Sequence, residues 1–220
     1  MFWMPMKYTT LGNTGIEVSR ICVGCMSYGK ASKEFHEWTL GQELYQIHRF
    51  DYDTPIEETL EALDSLVKAG KVRATGASAM YGYQFHNMQE CADRNGWTKF
   101  STMQNHYNLM YREDEHELIP VCRQYGVSLI PYSPLAGGHL SHRGWESGTA
   151  RSNTDRTIRS KYDHAKENDL EIIDAVATLA ERKGVSMSEI SLAWLLARGV
   201  AAPIVGALQA KDPKKIMGMP

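Results

Sequence analysis

The stretch LYQIHRFDYDTPIEETLEALDSLVKAGKVRATGAS, residues 44–78, decides how the chain is read. LYQIHRF is a short run of apolar and aromatic residues of strand length, and VRATGAS is another. Between them, Leu60, Leu63, Leu66 and Val67 fall on one helical face. Thr54-Pro55-Ile56-Glu57 predicts the start of that helix, with threonine as N-cap, proline at the first helical position and a capping-box glutamate. Gly70 predicts its end. Strand, helix and strand in this order form one unit of a parallel sheet.

The same alternation runs on in both directions. Upstream, MKYTTLGNTGIEVSR carries turn signals at Gly12-Asn13 and Thr14-Gly15 and reads as a hairpin, and ICVGCM follows as a strand. Downstream come a helix over 84–95, the strand KFSTMQ, a helix over 113–125 and the strand VSLIPYSPL, broken at its proline. A polar stretch over 141–168 reads as a long surface loop with fragments of helix. A helix over 169–183 carries Leu170, Ile173, Val176, Ala177 and Ala180 at helical spacing. Ser186 and Glu189 form a second capping box opening ISLAWLLARG, and APIVGA is the last strand. This makes about six parallel strands with five or six helices, in one domain over 1–220 without repeats or a linker.

Parallel strands need cover on both faces, which leaves an open doubly wound sheet or a closed barrel. The open dinucleotide-binding sheet announces itself with Gly-x-Gly-x-x-Gly, and the phosphate loop with Gly-x-x-x-x-Gly-Lys-Ser/Thr. Neither is present. A barrel of TIM type is the better reading, with function at the carboxyl ends of its strands.

Composition narrows the class. Apolar residues make up 43% and charged residues 23%, which suits a globular domain rather than a disordered chain. A net charge of -2 points to neither nucleic acid nor an anionic membrane as partner. The N-terminus reads as no signal peptide, and no window has the apolar length of a membrane span, so a cytoplasmic setting is expected. Cys22 and Cys25 have redox or zinc spacing, but they lie in an apolar run without a second pair, which disfavours a metal site.

Polar residues stand where a packed core does not ask for them: His48 after LYQI, Ser78 after ATGA, Gln104-Asn105 after STM and Tyr132-Ser133 after SLIP, with Gly206 closing the last strand. In a barrel such exits converge on one mouth. Strand ends also attract polar residues and turns for their own sake. His106-Tyr107-Asn108 could line the mouth or pack a loop.

Taken together, LGNTGIEVSRICVGCMSYG (11–29), residues 44–78, MQNHYNLMYREDEHELIPVCRQYGV (103–127), PYSPLAGGHL (131–140) and SLAWLLARGVAAPIVG (191–206) resemble the aldo-keto reductases, in that family's order. The resemblance is nearest to the bacterial and fungal branch related to the deoxyxylulose-phosphate-synthase-like reductase. It implies an eight-stranded βα barrel that reduces aldehydes and ketones with NADPH. By resemblance, His48 is the active-site histidine that orients and polarises the carbonyl. Ser78 and Gln104 match groups that bond the nicotinamide carboxamide, and Ala79 stands where many members have asparagine. Tyr132 matches the ring that stacks on the nicotinamide. Ser133, Leu135, Gly137 and Gly138 match the pyrophosphate loop, where small residues let backbone amides approach oxygen. Gly206 and Ala207 match the start of the adenosine-phosphate segment.

The departures from the family pattern are as informative. Its general acid is a tyrosine five positions after an aspartate, made more acidic by a lysine on the next strand. No aspartate of this chain has a tyrosine at that spacing. Two strand–helix units that the family places between Trp38-Thr39-Leu40 and Leu44-Tyr45-Gln46 are replaced by Gly41-Gln42-Glu43. The expected domain is therefore an incomplete barrel of about six of eight strands, with an internal deletion near 40–44 and a shortened C-terminus, where Gln209 stands at a position expected to be basic and Lys211 is the nearest substitute. Such a chain is expected to be a weak or inactive reductase. The alternative is a non-catalytic barrel remnant that binds a nucleotide or partner chain, with dimerisation through exposed strand edges.

Overall fold

The computed structural model describes residues 7–20, 22–23, 44–145 and 160–206. A hairpin of β1 (Tyr8–Thr10) and β2 (Glu17–Ser19) comes first, antiparallel with Thr9 opposite Val18. β3 (Cys22–Val23) pairs in parallel with β8 (Ile204–Val205). β4 (Leu44–Gln46), β5 (Ala74–Ser78), β6 (Phe100–Gln104) and β7 (Ser128–Leu129) form a four-stranded parallel sheet in sequence order. The amides of Ala201 and Ile204 donate to the carbonyls of Leu129 and Pro131 at 3.0 and 2.9 Å, which carries the hydrogen bonding across from β7 to β8. The order is therefore an arc, β4-β5-β6-β7-β8-β3. Its two end strands, β3 and β4, do not pair with each other among the described residues. This is the α/β architecture expected for six strands of a barrel.

The helices cover the outside of the arc: α1 (Ile56–Lys68), α2 (Gly82–Asn95), α3 (Leu118–Gln124), α4 (Lys166–Lys183) and α5 (Met187–Ala197). Leu60 and Leu63 of α1, Phe85 and Met88 of α2 and Leu118 and Cys122 of α3 pack with Met103 and Leu129 of the strands into one apolar core. A second core joins α4 to the segment after β7 through Ile173, Val176, Leu140 and Ala136. Inside the arc, Leu11 of the hairpin meets Ile130 and Ala202, with Val18 and Leu44 beside them. The hairpin is held at the amino ends of the strands: the Gly12 amide donates to Ser128 Oγ at 2.7 Å, and an Arg20 guanidinium N–H donates to the Val200 carbonyl at 3.3 Å. Gly12 has φ +48, and a Cβ there would lie 2.8 Å from the Ser101 carbonyl oxygen, so both the turn and the close approach require glycine.

Three expectations are corrected. Thr54 does not cap α1: its hydroxyl donates to Asp51 Oδ2 at 2.7 Å, and Pro55 holds the N-cap position without a side-chain bond. The helix expected over 113–125 is split into a 3-10 turn (Glu113–Glu115) and α3. Pro120 explains the split, since its ring would clash with the carbonyl of residue 116 in a continuous helix. The helix expected from 169 begins at Lys166, inside the polar stretch. The second capping box forms as read, with Ser186 Oγ accepting from the Glu189 amide and Glu189 Oε2 accepting from the Ser186 amide. Cys25 and residues 40–43 lie outside the described residues.

Candidate functional site

The carboxyl ends of β4 to β7 open on a cavity of about 300 Å³. Arg49 and Phe50 reach it from the exit of β4, Ala79 and Met80 from β5, and Asn105 and His106 from β6. Tyr132 lines it after β7, and Tyr111, Asp114 and Leu118 close it from the β6–α3 connection. The parallel bridge between His106 and Tyr132 continues the β6–β7 register past the strand ends, so their rings face each other. The centroids are 5.1 Å apart and the planes 9° apart. Tyr111 also stacks on His106, at 4.2 Å and 16°.

The backbone beyond β6 is organised by Asn108, which is fully buried. Its Nδ2 donates to the Ser133 carbonyl at 2.9 Å and to the Tyr162 hydroxyl at 3.1 Å, while Oδ1 accepts from the amides of Met110 and Tyr111 at 2.9 Å each. Tyr162 Oη and His106 Nε2 share a further hydrogen bond of 2.7 Å. Burial, helped by the positive Lys161, lowers the His106 imidazole to about 4, so it is neutral at physiological pH. Asp114 accepts from Asn105 Nδ2 at 2.8 Å, and burial pushes its carboxyl up from the ordinary value.

The expected site residues that are described stand at or just after strand ends, but they differ in what they present. His48 is exposed just beyond β4, next to Arg49. Ser78, the last residue of β5, is 2% exposed and its hydroxyl donates to the Gln104 carbonyl at 2.6 Å, so it faces the neighbouring strand rather than the mouth. Gln104 ends β6 and is half-buried. Ser133, Gly137 and Gly138 share a loop with positive φ at 53°, 69° and 115°, as does Ala136 at 50°, and Leu135 lies between them. Gly206 follows β8 and is exposed, while Ala207 lies outside the described residues.

Lys161 was hidden in the polar stretch. Its Nζ lies 4.6 Å above the Tyr132 ring and donates to Tyr132 Oη at 3.4 Å. A lysine beside a tyrosine invites comparison with an activated proton donor. Burial nevertheless pushes the Tyr132 hydroxyl up, not down. Among the described residues no group of three histidine, cysteine or carboxylate side chains could hold a metal ion, and no helix is long and apolar enough to cross a membrane.

The aldo/keto reductase family model matches residues 39–218. A versiconal hemiacetal acetate reductase of Aspergillus parasiticus is 48% identical over 172 residues, covering 77% of this chain and 50% of that protein. An aldo-keto reductase of Fusarium vanettenii is 48% identical over 164 residues, 74% of this chain and 44% of its own length. A putative aryl-alcohol dehydrogenase of Saccharomyces cerevisiae is 44% identical over 165 residues, 74% of this chain and 48% of its own length. The chain thus spans about half the length of the relatives it matches.

Proposed function

Because the chain belongs to the aldo/keto reductase family, we propose that it derives from an NADP-dependent reductase of aldehydes and ketones and is weak or inactive in this form. One observation supports the reading: the exits of four successive strands, β4 to β7, open on one cavity, which Tyr132 lines, while His48 follows β4 and Ser78 and Gln104 end β5 and β6 outside its lining. NADPH, when bound, supplies the hydride.

The residues of the mouth fit such a cofactor. The loop 133–138 has four residues of positive φ and two glycines, and a Cβ on Gly138 would meet only Ser141 Oγ, 3.9 Å away. Backbone with so little side-chain bulk over it suits phosphate oxygens. The Lys161 ammonium lies 4.6 Å from the Tyr132 ring centre, so a nicotinamide stacked on that ring would displace it. In this reading Gln104 and Tyr132 hold the nicotinamide, Ser133, Leu135, Gly137 and Gly138 lie along the pyrophosphate, and Gly206 and Ala207 begin the adenosine end. Ser78 contributes by fixing the Gln104 backbone through its 2.6 Å bond.

His48 orients the carbonyl. No described group offers a proton donor lowered toward neutrality beside it, since burial raises Tyr132 and Tyr111 alike. Loss of a positioned general acid removes a factor of about 10² to 10⁴ in rate. The protein is read as a single cytoplasmic barrel domain over 1–220 with an internal deletion near 40–44. Its partner is a small carbonyl compound, not nucleic acid or membrane.

A second reading follows from the arc: β3 and β4 are its end strands, and such edges suit a non-catalytic remnant that binds a nucleotide or pairs with a partner chain, including a second copy. NADPH oxidation with 4-nitrobenzaldehyde, beside a fluorescence titration of NADPH, separates the two. The expected result is NADPH binding without turnover above a buffer blank. Turnover abolished by His48→Ala would overturn the inactive assignment, and absence of NADPH binding would favour the partner-binding remnant.

A further inference from the structure

His106 lines the cavity just beyond β6, and its parallel bridge to Tyr132 fixes the backbone there. Two tyrosine rings stack on the imidazole, Tyr111 at 4.2 Å and Tyr132 at 5.1 Å between centroids. The stack sets the plane of the ring. The hydrogen bonds at its edge then decide which nitrogen carries the proton.

Those bonds run in one direction. Asn108 Oδ1 accepts from the Met110 and Tyr111 amides, which fixes the side-chain amide with Nδ2 toward Tyr162. Nδ2 then donates to the Tyr162 hydroxyl at 3.1 Å. That hydroxyl is buried and has a single proton, and the acceptor it meets among the described residues is His106 Nε2, 2.7 Å away. A proton on Nε2 would leave the Tyr162 proton buried without an acceptor, which costs more than one bond is worth. Asn108 Nδ2, 3.4 Å from Nε2, is a second donor beside the same atom. Nε2 is therefore the acceptor, and Nδ1 carries the ring proton. Nδ1 has no hydrogen-bond partner among the described residues, yet it is not one of their buried unpartnered atoms. It is open to solvent, on a ring that lines the cavity.

Resting on the reading of this mouth as a carbonyl site, we propose that His106 Nδ1–H is a ligand-binding donor of the cavity, with Tyr162 the positioning residue that fixes its tautomer. The relay from Asn108 through Tyr162 to His106 then ends in a donor that the fold itself does not use. An imidazole held this way can only donate from Nδ1, so the ligand atom placed against it must accept. A carbonyl oxygen meets that need, and an N–H does not. No proton changes hands. The neutral ring fixes where the oxygen sits, beside the part given to His48.

The test uses the full chain without cofactor at pH 7, so it stands apart from the question of turnover. Long-range proton–nitrogen NMR of the imidazole is expected to show Nδ1 protonated and Nε2 bare. Cyclohexanone, which accepts a hydrogen bond but cannot donate one, is expected to shift the Nδ1 resonance saturably. His106→Phe keeps a ring in the stack without the donor. It is expected to weaken cyclohexanone binding about threefold to tenfold, the range of one hydrogen bond. Tyr162→Phe is expected to show both tautomers of His106 and to bind at least about twofold more weakly. A purely structural tyrosine would leave the tautomer as it is. A proton on Nε2 in the parent, an Nδ1 resonance unmoved by cyclohexanone, equal binding by His106→Phe, or an unchanged tautomer in Tyr162→Phe would each overturn the proposal. The first two need no variant, so they decide the matter even if neither variant folds. Failure of NADPH to bind would instead sink the reductase reading and leave the His106 donor standing.

Discussion

Asn108 Nδ2 and the carbonyl of Ser133 are joined by a 2.9 Å hydrogen bond across 25 residues of chain. The bond locks the exit of β6 to the loop in which Ser133 and Ala136 hold positive φ without being glycine. Residues in that region carry conformational strain that only surrounding contacts can hold in place. Asn108→Ala removes the donor and leaves the Ser133 carbonyl and the Met110 and Tyr111 amides without their partner. The expected loss is about 2–4 kcal/mol in urea unfolding. An unchanged midpoint would mean that the loop is held by other contacts.

His106 has its imidazole lowered to about 4, first by burial and then by Lys161. A folded-state value below the unfolded one means stability fully present above the unfolded pKa and lost as pH falls through the folded one. The window runs from about 6.5 down to about 4. NMR of the ring protons is expected to show no titration of His106 between pH 7.5 and 5.5. A midpoint near 6.5 would contradict the buried stack.

Glu115 responds in a lower window. The Arg112 guanidinium, bonded at 2.7 Å, and the Tyr107 hydroxyl hold its carboxyl down at about 2 against an ordinary 4.5. Its contribution is present above about 4.5 and lost as pH falls toward 2. Arg198 joins the same carboxylate at 3.2 Å and ties the end of α5 to the 3-10 turn. Glu115→Gln should lower the melting temperature at pH 7, and the gap from the parent should close on acidification to pH 2–3.

Gly76 in β5 has no room for a side chain. A Cβ there would overlap Thr102 Oγ1 and lie 3.1 Å from the Gln46 amide, itself held by a 2.6 Å bond to the Ala77 carbonyl. Gly76→Ala is expected to cost about 1–3 kcal/mol by overpacking. Thr102→Ala in the same chain removes the overlapping hydroxyl and should recover part of that loss if the clash is its cause.

The sequence carried the elements whose signals are local. The second capping box, Ser186 with Glu189, formed as read because both partners lie within one turn. Gly70, at φ +68, ended α1 for the same reason. Thr54 misled because Asp51, three residues back, competes for its hydroxyl, and both outcomes have the same composition. The apolar residues over 113–125 keep helical spacing on both sides of Pro120, so periodicity alone does not reveal the break.

Asn105, His106 and Tyr132 of the cavity wall stand out in the sequence because strand exits converge in any barrel. Lys161 and Tyr162 could not, since they meet Tyr132 and His106 across 29 and 56 residues from inside a polar stretch with no period. Asp114 was missed because a charged residue in a surface-length connection is ordinarily solvated. Nothing in its neighbours announces that Asn105, nine residues earlier, draws it inward. Ser78 ends β5 at a strand exit, but the direction of its hydroxyl depends on a strand 26 residues away.

The hairpin at the amino end has a consequence for the order of folding. β1 and β2 are made first on the ribosome, yet their anchors are Ser128 and Val200, 116 and 180 residues further along. A hairpin of two three-residue strands is marginal alone. It must therefore wait, with Leu11 and Ile16 uncovered, until the last strand has emerged. The sheet β4 to β7 pairs neighbours in sequence and can assemble long before that. Docking of the hairpin on β7 and β8 is then expected to come after the sheet β4 to β7, since its contacts span far more of the chain, and the early hairpin is the part most in need of protection while it waits.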